Sequence, residues 1–156
     1  MAILKKQTFG SMSALVALIL TVVGIIAYFV NIGSVGYFEN ATVPLAVTLF
    51  VLSALALAVV VVLAQLSLGD LVDKILDIVS GLLRIAAPAG LIGAAMLLVE
   101  SRAQGLAYIY FSNPEVLAEV QTAANLSSAT GAIVAIAALA LGAIVAIVSA
   151  FFKVKK

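Results

Sequence analysis

Four long apolar runs, at about 11–31, 44–67, 82–100 and 129–152, are set apart by short polar stretches. Each approaches or exceeds the about 20 residues a helix needs to cross about 30 Å of hydrocarbon. Val59 to Val62 would suit a strand in water. Within an apolar run of that length the helix is favoured, because lipid offers the backbone no partner except its own helix. The pattern therefore predicts an all-α integral membrane protein, a bundle of four transmembrane helices forming a single domain over 1–156.

The polar stretches refine this. Lys5 and Lys6 precede the first run, as in a signal peptide, but signal cores are about 7–15 residues and this run is longer. It is read as a retained helix. Asn31 to Thr42 holds the turn formers Gly33, Gly36 and Asn40. Tyr28, Phe29, Tyr37 and Phe38 gather there, as in an aromatic belt at a membrane boundary. Pro44 fits the first turn of the second helix, where its missing N–H costs nothing.

Gly69 makes the next turn and Asp70 caps the third helix. Asp70, Asp73, Lys74, Asp77 and Arg84 share an arc of roughly 100° on that helix, so its start is amphipathic. The charge-free part, Ile85 to Val99, spans about 22 Å, short of the bilayer core. Arg84 must therefore snorkel, thin the bilayer or face protein. Pro88 removes the hydrogen bond to the Arg84 carbonyl, so a kink is expected there. Arg84 and Pro88 form the candidate site for an anionic lipid or a partner carboxylate.

Tyr108, Tyr110 and Phe111 make a second aromatic cluster. A short amphipathic helix follows at about 113–124. Either Ser112 with Glu115 or Asn113 with Pro114 can start it. Val116, Leu117 and Val120 give it an apolar face that either lies on the bundle as a lid or meets a partner; it is the candidate outer recognition surface. In lipid, small residues drive helix association by letting backbones approach. Gly90 and Gly93 in the third helix, and Ala138, Gly142 and Ala146 in the last, are the candidate packing seam, within one bundle or between subunits.

Composition agrees with the pattern. The 156 residues are 65% hydrophobic and 10% charged, with a mean hydropathy of +1.33. A soluble domain carries about a quarter charged residues. The net charge of +1 gives no reason to expect nucleic acid. There is no histidine and no cysteine, so Ser–His, HExxH and thiol chemistry are excluded. No acid lies deep in an apolar run, and Asp70, Asp73 and Asp77 read as a solvated face. No catalytic residue, metal site or cofactor is expected.

Counting cations sets the orientation. With four spans, Lys5, Lys6, Lys74, Arg84, Lys153, Lys155 and Lys156 share one side, and Arg102 stands alone on the other. By the positive-inside rule both termini are cytoplasmic and the 113–124 helix is extracytoplasmic. Short loops and no cysteine fit a bacterial cytoplasmic membrane. The expected function is a non-enzymatic scaffold or accessory subunit that associates with itself or other membrane proteins. The alternatives are a component of a transport system or oligomeric channel, and a lipid-binding protein.

Overall fold

The computed structural model describes residues 8–66 and 70–154. Lys5, Lys6, Gly69, Lys155, Lys156 and the side chain of Asp70 lie outside the described residues. The described chain is helical, without strands: α1 (Phe9–Gly33), α2 (Pro44–Leu63), α3 (Asp70–Phe111), α4 (Pro114–Val120) and α5 (Ala123–Ala150). Four of these, all but α4, are long and apolar enough to cross a membrane.

Each start has a local cause. Thr8 caps α1 through a capping box with Ser11. Pro44 occupies the first turn of α2. Asn113 caps α4, its side chain accepting from the Val116 N–H at 2.9 Å, with Pro114 following. Of the two starts open to α4, the Asn113–Pro114 pair is the one used. α4 ends at Val120 rather than near 124, because Thr122 caps a new helix by accepting from the Asn125 N–H. That early cap also starts the last helix at Ala123 instead of about 129.

α3 is the second difference. It runs unbroken for 42 residues, through Pro88 and on to Phe111, well past the 100 at which its apolar run stops. The segment after Glu100 stays helical because it packs. Ile109 is fully buried, and Gly105 lets α3 approach Tyr37 and Phe38 so closely that a Cβ there would stand 2.6 Å from the Phe38 ring. Both aromatic clusters share this end of the bundle, with the Tyr37 and Tyr108 rings 6.0 Å apart. They do not form a simple belt. Phe29, Tyr37, Tyr108 and Phe111 are exposed, but Tyr28 and Phe38 are buried in the protein. The Tyr28 hydroxyl is turned inward and accepts from the Val43 N–H at 2.8 Å.

α1 packs on α5 and α2, and α3 packs on α2 and α5, so the four long helices close a ring. Phe50, Leu57, Leu91, Leu98 and Leu139 fill the centre, with alanines between them. The small residues are used inside this chain. Gly142 lies against Thr21 and Ala17 of α1, and Ala138 and Ala146 share its face one turn away. Gly90 and Gly93 instead meet Ser53 and Leu49 of α2. The two stripes thus serve two different seams within one bundle.

Candidate functional site

Polar side chains gather at the two ends of the ring, where they bind backbone groups, carbonyls above all. A helix leaves its last carbonyls without partners, and in lipid each such group is costly. At one end the last turn of α5 and the residues after it present the carbonyls of Ser149, Phe152, Lys153 and Val154. Arg84 Nη2 donates to Ser149 and Phe152. Thr8 Oγ1 donates to Lys153 at 2.6 Å and to Val154 at 3.0 Å. The start of α1 is pressed against the same segment, since a Cβ on Gly10 would stand 2.6 Å from the Lys153 carbonyl oxygen. The Phe9 and Phe152 rings meet edge to face at 4.6 Å.

Of the three ways of accommodating Arg84, facing protein is the one adopted. Its guanidinium closes the C-terminus of α5, where a cation also suits the helix dipole. Pro88 is buried one turn further along α3. Pro88 has no N–H, so the Arg84 carbonyl loses its helical donor while the Arg84 side chain serves other carbonyls. Arg84 Nε and Ser149 Oγ are buried with no hydrogen-bond partner.

At the other end the corresponding residue is Arg102, 4% exposed. Its Nη2 donates to the Ala41 carbonyl, and its guanidinium lies 4.7 Å above the centre of the Phe38 ring. Ser128 of α5 holds both this loop and the end of α1. Phe38 N–H donates to Ser128 Oγ at 3.0 Å, and Asn31 Nδ2 donates to the Ser128 carbonyl at 2.6 Å. Sequence reasoning counted Arg102 only as a charge. Its signal was its spacing: it lies 18 residues after Arg84, or about 27 Å along the helix, close to the thickness of the hydrocarbon core.

Arg102→Lys tests this role. Lysine keeps the charge but loses the planar fork that stacks on Phe38 while reaching Ala41, and it is the more strongly hydrated cation. The variant is expected to lose about 1–2 kcal/mol of stability, read from chemical unfolding in detergent.

The α4 residues are placed differently from a free recognition surface. Val120 is buried, and Val116 and Leu117 pack with it on Ile109 and Ala129. Their apolar face is turned to the bundle. The outward face of α4 carries Glu115, Ala118 and Glu119, all exposed. Among the described residues no group of three acidic side chains is placed to hold a metal ion.

No protein-family model, curated protein or solved structure matches this chain.

Proposed function

We propose that this protein is a non-enzymatic scaffold or accessory subunit of the cytoplasmic membrane, associating with itself or with other membrane proteins. Both termini are cytoplasmic in this reading, on the side with seven of the eight cations, and α4 is extracytoplasmic. The observation that carries it is the use made of polar groups inside the bundle. Thr8, Asn31, Arg84 and Arg102 all bond across elements of the same chain, around a centre filled by Phe50, Leu57, Leu91 and Leu139. Such groups fasten a solid body instead of lining a path, and a solid body works through its surfaces. Because Val116, Leu117 and Val120 are committed to the bundle, recognition on the outer side falls to the acidic face of α4.

Purification in mild detergent at native expression tests this. The expected result is a defined homo-oligomer or a stoichiometric partner. Glu115→Lys/Glu119→Lys, which leaves the buried face of α4 untouched, is expected to release the partner or reduce the oligomer without lowering stability. Replacing 114–120 by a Gly/Ser linker is expected to lower stability as well, by exposing Ile109 and Ala129. A monomer that co-purifies with nothing and conducts solute in reconstituted vesicles would favour the transport reading instead.

A further inference from the structure

A groove of about 780 Å³ opens sideways between α3 and α5. Its floor holds Gly93, Ala140 and Ala143, and the exposed side chains of Met96 and Ile144 stand at its rims. Small floor residues between large rim residues make a channel along the helices. The lining is apolar except at one place, Glu100. Glu100 is exposed, and among the described residues nothing forms a hydrogen bond or ion pair with its carboxylate. Arg102, two residues on, points elsewhere and is tied to Ala41 and Phe38.

The length of the groove decides what fits it. Its lining runs from Ile92 to Glu100 on α3 and from Ile136 to Ile147 on α5. At 1.5 Å per residue these are about 12 Å and about 16 Å. The hydrocarbon core is about 30 Å thick, so the groove covers about half of it, the depth of one leaflet. A transmembrane helix from another subunit would call for a seam along the whole thickness. A lipid acyl chain reaches only through its own leaflet, and its headgroup would then lie at the Glu100 end. A carboxylate there attracts a cation and repels a net-anionic headgroup.

We propose that the α3–α5 groove is a binding site for one acyl chain of a lipid with an ammonium headgroup, such as phosphatidylethanolamine, whose ammonium pairs with Glu100. The site lies in the leaflet on the Arg102 side and is separate from the carbonyl-capping cluster around Arg84.

The test uses the full chain in vesicles of equal phosphatidylethanolamine and phosphatidylglycerol with matched acyl chains, followed by native mass spectrometry of the released protein. Wild type is expected to retain phosphatidylethanolamine about two- to fivefold over phosphatidylglycerol, the range an exposed ion pair supports. Glu100→Gln, at an exposed position, is expected to bring that ratio to about one while lipid is still retained. Ala140→Phe fills the groove floor and is expected to reduce retention of both lipids. Equal retention by wild type, an unchanged ratio in Glu100→Gln, or full retention in Ala140→Phe would overturn the assignment. So would a change of oligomeric size in Ala140→Phe at unchanged lipid retention, which would give the groove to a second copy.

Discussion

Gly90→Leu and Gly142→Leu are each expected to destabilise the bundle in detergent by about 1–3 kcal/mol, the usual cost of overpacking. In lipid, apolar side chains gain little by leaving the solvent, so these helices hold together by backbone proximity. A Cβ at Gly90 would land on Ser53 Oγ and stand 3.4 Å from the Leu49 carbonyl oxygen. At Gly142 it would meet Thr21 Oγ1 at 3.0 Å and the Ala17 carbonyl oxygen at 3.5 Å. The rest of a leucine side chain has no space beyond either point without separating α3 from α2, or α5 from α1. Thr21 has no freedom to turn away at low cost, because its hydroxyl donates to the Ala17 carbonyl at 2.8 Å. Ile133→Leu, on the exposed face of α5, keeps the side-chain volume at a half-exposed position and is expected to be nearly silent. Equal tolerance at all three positions, read from chemical unfolding in detergent, would remove close packing as the force holding the ring.

Gly36→Ala is expected to cost about 2–4 kcal/mol, more than its single methyl suggests. Gly36 has φ +151°, a backbone conformation that side-chain-bearing residues rarely adopt. Its missing Cβ also makes room for α5, since a methyl would stand 2.6 Å from Ser128 Cβ and 2.7 Å from the Ala124 carbonyl oxygen. Moving Ser128 aside would break its hydrogen bond from the Phe38 N–H and disturb the Asn31 contact to its carbonyl. Gly33→Ala is the control. It ends α1, and a Cβ there meets nothing within 4 Å. Alanine there is expected to be neutral or to stabilise by about 0.5–1 kcal/mol. Similar unfolding midpoints for the two variants would mean that the first loop is not locked onto α5.

Much of the fold was legible because lipid simplifies the rules. Long apolar runs without charge have one outcome, and the four runs, Pro44 and the Asn113–Pro114 start all follow from local chemistry. The departures occur where a tertiary contact overrides a local signal. The apolar run ends near Glu100, yet α3 continues because Gly105 and Ile109 seat it against Phe38 and the α4 cluster. Tyr28 and Phe38 look like belt residues in sequence. Their burial depends on Val43 and Arg102, which are distant in the chain. Small-residue spacing marked Gly90 and Gly142 as packing positions, but spacing carries no information about which helix each would meet. The roles of the arginines were hidden for the same reason. Arg84 is adjacent to α5 only after the ring has closed, 65 residues away from Ser149 in sequence.

The central claim, four membrane crossings with both chain ends on the cytoplasmic side, is tested most directly by single cysteines in this cysteine-free chain. Ser34 and Ser127 are exposed and line one pocket of about 420 Å³ at the end where α1 stops and α5 starts. Gln65 is exposed just beyond the far end of α2. With a membrane-impermeant thiol reagent on intact cells, cysteines at 34 and 127 are expected to label and a cysteine at 65 only after lysis. Labelling of 34 without 127 would contradict the four-crossing bundle, and labelling of 65 alone would invert its orientation.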